Sequence, residues 1–231
     1  MLAVLVAAVL VLGVLLVSVL PLMSQDSADD GAGSGDVDLS DIPDVVAVVN
    51  GEKIERDEFA AFYEPQIRQA GDAGQPVDED EIKKQTVDAL VDNELLLQQA
   101  DERGISVSDD QVDETLRNYA KNSGMQSTDE YLKALEEEQG TSADQVRAQI
   151  ADSLTVEALV DDEIGDEPIS ESELRKLYDR SMAAQGEGAE GPSFEDVRGE
   201  LEQQVKAQRQ QEAFRKLADA ARKKADIDVK L

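Results

Sequence analysis

The sequence predicts a mostly α-helical domain, closed by a small β element that pairs its two ends and preceded by an N-terminal transmembrane helix or signal segment. Three observations carry this. Apolar residues recur at helical spacing between repeated Ser and Asp caps over most of the chain. β-type segments stand at both ends of that helical stretch. Ahead of them, residues 1–23 form an unbroken apolar run.

That run, "MLAVLVAAVLVLGVLLVSVLPLM", carries no charged side chain, and the first appears at Asp26. As a helix it spans about 34 Å, enough to cross a hydrocarbon core of about 30 Å. A basic n-region and an A-x-A-like cleavage site are both missing, so a retained anchor is expected over a cleaved signal. Residues 24–44 are rich in Gly, Ser and Asp and are expected to be an acidic, flexible linker. Asp36, Asp38 and Ser40 match the first ligand positions of a calcium loop. Asp41 stands where that loop needs Gly, however, and Ala47 where it needs Glu, so no metal site is expected.

The folded domain is expected over 45–231. Val45–Ile54, "VVAVVNGEKI", holds Asn50-Gly51 between two β-type runs, the signature of a type I′ hairpin. Asp57 is expected to open a helix through Phe59, Phe62 and Tyr63 that Pro65 bends or ends. The longest apolar helix should run from Asp78 to Arg103 with Gly104 as its stop, and its leucines cover so wide an arc that several neighbours must pack on it. Ser108, then Ser127 or Thr128, then Ser142 cap the next three helices. Ser170 with Glu173 forms a capping-box pattern, and Ser193 opens a last long helix through Val197, Leu201, Val205, Phe214 and Leu217. Finally "ADIDVKL" alternates Ile227, Val229 and Leu231, as a strand with one buried face does, and is expected to pair with the first hairpin.

Composition excludes several function classes. Cys, His and Trp are absent, which removes Cys–His pairs, His-based triads and thiolate or imidazole metal sites. With 22 Lys+Arg against 52 Asp+Glu the formal net charge is -30, so nucleic acid is not an expected partner. The acid excess is expected to be a solvated surface, including the runs Glu136 to Glu138 and Asp161 to Glu163. No Gly-rich lysine loop for ATP phosphates is present, and no cofactor is expected. Near the end, Arg222, Lys223 and Lys224 reverse the charge locally and complement the last helix's C-terminal dipole.

The pieces "VNGEKIERDEF", "ALVDNELLLQQADERGISVSDDQVDETL", "EYLKALEEEQGTSADQVRAQIADSLTVEALVDDEI", "ISESELRKLYD" and "FEDVRGELEQQVKAQRQQEAFRKLADAARKKADIDV" closely resemble the N-terminal domain of the SurA-type periplasmic chaperones and related foldases such as PrsA and PpiD. The resemblance implies an extracytoplasmic chaperone domain that holds unfolded or exported polypeptides without ATP, anchored to the membrane, or secreted if residues 1–23 are cleaved. Family members typically insert a parvulin-type prolyl isomerase domain between the last two helical pieces. Here only fifteen residues separate Tyr178 from Phe194, too few for a domain, and no enzyme activity is expected. Exposed apolar side chains would contact clients, the candidates being Phe59, Phe62, Tyr63, Leu95, Leu96, Leu97, Met125, Tyr131 and Leu132. The alternative is a tethered scaffold that docks one folded partner.

Overall fold

The computed structural model describes residues 37–72, 78–184 and 191–231; the expected anchor at 1–23 lies outside them. The order of elements is β1 (Val45–Val49), β2 (Glu52–Glu55), α1 (Arg56–Asp72), α2 (Glu79–Glu102), α3 (Asp109–Asn122), α4 (Thr128–Gln139), α5 (Ala143–Ile164), α6 (Glu171–Ala184), α7 (Phe194–Arg222) and β3 (Ile227–Val229). Among these described residues, no helix is long and apolar enough to cross a membrane.

The chain ends pair as expected. The sheet order is β2-β1-β3, both pairings antiparallel. Asn50 and Gly51 take φ of 54° and 98°, the two positive angles a type I′ turn needs. The turn is fastened to the far end of the chain: the Asn50 amide donates to the Asp226 carbonyl at 2.8 Å, and the Asp226 amide donates to Asn50 Oδ1 at 2.9 Å.

Helix ends follow their punctuation closely except at α1, which begins at Arg56 and so takes Asp57, expected to open it, into its first turn. Asp78, Ser108, Ser127, Ser142 and Ser193 each accept a first-turn backbone amide. After α2, Gly104 at φ 69° donates to the Asp101 carbonyl and Ile105 to that of Ala100. Gly124 and Met125 repeat this double closure after α3, so one stop-and-restart device joins three successive helices.

Four expectations need correction. The domain begins before Val45: Ile42 is fully buried, Val37 and Leu39 pack on the same core, and Lys83 holds Asp41 at 2.8 Å. The linker therefore yields its last residues to the fold, because Ile42 gains more from burial than the short segment loses in freedom. Pro65 does not end α1, which continues to Asp72. Glu173 does not complete a capping box; Ser170 Oγ still caps the Glu173 amide, but the Glu173 carboxylate pairs instead with Arg209 of α7 at 2.8 Å. Val229 and Leu231 are exposed, not buried, and of the three alternating residues only Ile227 packs against the core.

The core has four parts. The sheet, α1 and the first half of α2 enclose Ile42, Val46, Val49, Ile54, Phe59, Tyr63, Leu90 and Leu95. The second half of α2 meets α5 and α7 around Leu96, Ala100, Leu159 and Leu217. α3, α4 and the start of α5 form a lobe around Leu116, Tyr131, Leu132 and Ile150. α6 and the start of α7 form another, with Phe194 edge-on to Tyr178 at 5.7 Å and the Arg175 guanidinium 4.4 Å from its ring centre.

Candidate functional site

The stretch Glu94–Gln99 is the junction of the molecule, and its side chains divide between two cores, the β-turn and α7. Leu95 enters the core beneath the sheet, while Leu96 turns to the core shared with α5 and α7. Leu97 is half-buried at the margin of that second core. Gln98 donates to Glu94 at 2.6 Å and to the Val49 carbonyl at 3.3 Å, and it accepts from Asn50 Nδ2 at 2.7 Å, which holds the β-turn against α2. Gln99 reaches the Leu217 carbonyl on α7 at 3.3 Å. One turn further back, Arg222 of α7 pairs with Asp88 and Asp92. A helix with apolar side chains on several faces is thus stable because α1, α5, α7 and β1 each take one face.

This geometry sorts the nine expected contact residues. Phe59 and Tyr63 stack at 5.0 Å and are fully buried, so they belong to the core. Leu95, Leu96, Tyr131 and Leu132 are buried as well, Tyr131 beside Tyr119 at 6.4 Å. In this conformation none of those six offers surface to a second chain. Phe62, Leu97 and Met125 remain half-buried, each packed at the edge of a core. They lie in different parts of the fold and form no single patch that the structure brings together.

Of the two acidic runs, Glu136 and Glu137 are exposed as expected, and the other departs from expectation. Asp161 to Glu163 is not merely solvated: Asp161 accepts from Gln210, Asp162 from Arg103, and Glu163 from both Arg103 and Lys216. The Lys216 ammonium holds the Glu163 carboxyl below its usual range, with Arg103 adding to the effect. These pairs stitch α5 to α2 and α7.

Sequence reasoning missed a different carboxylate group. Glu58 lies exposed on α1, yet partial desolvation first, and then the neighbouring charges of Glu94, Asp152 and Glu55, push its carboxyl up to about 7. Burial and Glu94 likewise push Asp152 up. The four carboxylates come from α1, α2, α5 and β2, so no sequence spacing announces them. Of these four, Glu58 is the one that takes up a proton near neutrality. Among the described residues, no group of three or more Asp and Glu has the geometry to hold a metal ion.

Comparison with known proteins agrees with this architecture. The family model described as SurA-like N-terminal domain matches residues 3–160. The "Chaperone SurA" of Pseudoalteromonas translucida is 30% identical over 155 residues, covering 65% of this chain and 35% of that protein. The "Chaperone SurA" of Nitrosospira multiformis is 34% identical over 124 residues, 53% of this chain and 28% of that protein. The "Foldase protein PrsA" of Caldanaerobacter subterraneus is 29% identical over 148 residues, 59% of this chain and 42% of that protein. The chain thus spans between 28% and 42% of the length of these relatives. The family match stops inside α5, while α7 and β3 complete the cores that the matched part begins. With more than half its length matched by the model, and the helical module closed around the matched part, this chain belongs to the SurA-like N-terminal domain family.

Proposed function

We propose that this chain is an ATP-independent extracytoplasmic chaperone that holds unfolded or exported polypeptides, with residues 1–23 as its membrane anchor and without prolyl isomerase chemistry. The observation that carries the reading is the family match over residues 3–160, in relatives whose names are chaperone SurA and foldase PrsA. The route from α6 to α7 supports the absence of an isomerase: α6 ends at Ala184 and α7 begins at Phe194, which leaves no room for an inserted domain. Client contact falls to the half-buried apolar residues Phe62, Leu97 and Met125, now that the other six candidates are committed to the core. Apolar contact is the mode that suits this molecule, since its net charge of -30 repels acidic clients and offers no sequence-specific recognition.

The test is suppression of aggregation of a denatured, neutral client by the full chain in mild detergent, at low salt and at about 1 M salt, where the Debye length falls to about 3 Å. Suppression is expected to persist at high salt. Phe62→Ser, Leu97→Ser and Met125→Ser are checked for retained helicity; at least one should weaken client affinity about tenfold, as loss of about 1.5 kcal/mol of apolar contact does. Suppression abolished by salt and untouched by all three variants overturns the mechanism. A proline-limited refolding assay that shows acceleration in proportion to protein concentration overturns the absence of isomerase chemistry.

A further inference from the structure

The two edges of the sheet are unlike each other. β2 presents Glu52, Lys53 and Glu55, three exposed charged side chains, and runs directly into α1. Such charge is how natural sheets keep an edge from pairing with another chain. β3 is guarded differently. Val229 is 47% exposed and Leu231 44%, and these are the exposed large hydrophobic residues among those described.

The backbone of β3 is aimed with equal specificity. The Lys230 amide donates to the Val46 carbonyl at 2.9 Å, and the Asp226 carbonyl accepts from Asn50. Even-numbered residues of this strand therefore turn their backbone groups toward β1. By the alternation of an antiparallel ladder, Ile227, Val229 and Leu231 turn theirs outward to an edge that no other strand among the described residues covers. Side chains alternate too: Ile227, Val229 and Leu231 share one face, and Asp228 and Lys230 share the other.

This segment, Ile227–Leu231, is complementary to itself when reversed. Set antiparallel to a second copy about an axis through Val229, it places Val229 opposite Val229, Ile227 opposite Leu231, and Asp228 opposite Lys230. Every outward amide then meets an outward carbonyl, and each acidic side chain meets a basic one in place of the Asp228–Lys230 pair within the strand. The surroundings favour the same partner. Lys53, Lys223, Lys224 and Lys230 are all exposed on β2, β3 and the end of α7. Set among exposed Glu52, Glu55, Asp226 and Asp228, these lysines offset locally the repulsion that a net charge of -30 raises against a second copy.

We propose that the free edge of β3 docks a second copy of this chain, forming a continuous six-stranded antiparallel sheet with two-fold symmetry centred on Val229. Two strands of five residues bury far less than the roughly 1,600 Å² of a standard interface. The association is accordingly weak and concentration-dependent, and it strengthens where salt screens the net charge.

The absence of cysteine from the chain makes the register directly testable. Single variants Val229→Cys, Ile227→Cys, Leu231→Cys and Lys53→Cys are prepared in the full chain in mild detergent, at about 0.5 M salt, where the Debye length is about 4 Å. A short thiol-to-thiol crosslinker is added. Val229→Cys should form dimers at least tenfold faster than Lys53→Cys, since paired Cα atoms of a hydrogen-bonded site lie about 5.5 Å apart. Ile227→Cys alone and Leu231→Cys alone should crosslink poorly, because like residues are then about 14 Å apart by strand geometry. Mixing those two variants should restore crosslinking. Val229→Pro, which removes one outward amide and none that faces β1, should abolish association by sedimentation while helicity is retained. Crosslinking that is uniform across all four sites, or missing from Val229→Cys, overturns the proposal. So does protection of Val229→Cys by an added reduced, carboxymethylated polypeptide with no dimer formed, which would make the edge a client site.

Discussion

The core beneath the sheet and the α3–α4 lobe are built from similar residues by opposite routes. The sheet core draws on residues 37–95 and 221–227, and its buried members are 0–3% exposed. The lobe is assembled within residues 107–154, and of its eight buried members all but Leu116 are 3–9% exposed. Distant segments meeting around a sheet exclude water almost completely, whereas three neighbouring helices enclose a smaller volume and leave its rim wet. Local chain connectivity is thus the cheaper way to make a core and the shallower one, and the two regions should respond to damage on different scales.

The largest effect is expected at the junction of the cores. Leu96→Ala removes a fully buried side chain shared by α2, α5 and α7, and should cost about 2–5 kcal/mol. Leu132→Ala, at the wetter rim of the lobe, should cost about 2 kcal/mol, the low end of that range. Hydrogen exchange separates the two: Leu96→Ala should speed exchange throughout the described helices, and Leu132→Ala chiefly in α3 and α4. Equal costs and equal spread would erase the distinction between the regions.

An intermediate effect is expected when the long-range closure is cut. Deleting Asp226–Leu231 takes away the partner of β1 and both bonds that fasten Asn50. It should lower the melting temperature by several degrees, corresponding to about 1–2 kcal/mol. The lobe's exchange rates should stay as they were. An unchanged melting temperature would show that the strand is decorative.

The smallest effect concerns the carboxylates around Glu58. Because the folded protein raises the Glu58 carboxyl to about 7 from 4.5, it binds a proton that the unfolded chain releases between those values. Stability should therefore rise as pH falls from 8 through 7, and level off below about 4.5 as far as this group is concerned. Glu58 retains solvent contact, so the gain is below about 1 kcal/mol. Glu58→Gln should flatten that part of the pH profile, measured by denaturant midpoint at pH 5.5 and 8. A profile as steep in the variant as in the parent would point to Asp152, which burial and Glu94 shift in the same direction.

Legibility in the sequence followed the range of the cause. Caps, glycine stops and the Asn-Gly turn act over three or four residues, and those at Ser108, Ser142, Ser193, Gly104 and Asn50-Gly51 fall where the sequence places them. Pairing of the chain ends was also readable, since two lone β segments have no other partner. The destinations of Leu95, Leu96 and Leu97 were not, because adjacent positions on a helix differ by direction, and only the neighbours decide what each direction meets. Glu173 looked like a cap and became a partner of Arg209, a choice made by α7 from 36 residues away. Ile42 sat in a stretch whose composition reads as linker, and a single well-placed side chain outweighed the average. The carboxylates around Glu58 needed four elements to converge and left no local trace.

The bond between Asn50 and Asp226 spans 176 residues, and that separation sets a clock on synthesis. At about 5–20 residues per second, the ribosome needs roughly 9–35 s to go from β1 to its second partner. During that interval β1 is paired on the β2 side alone, while the α3–α4 lobe, complete within its own stretch, is free to form first. The nascent chain is therefore itself an unfinished sheet with an open edge, in need of the same protection from stray strands that any incompletely folded protein requires.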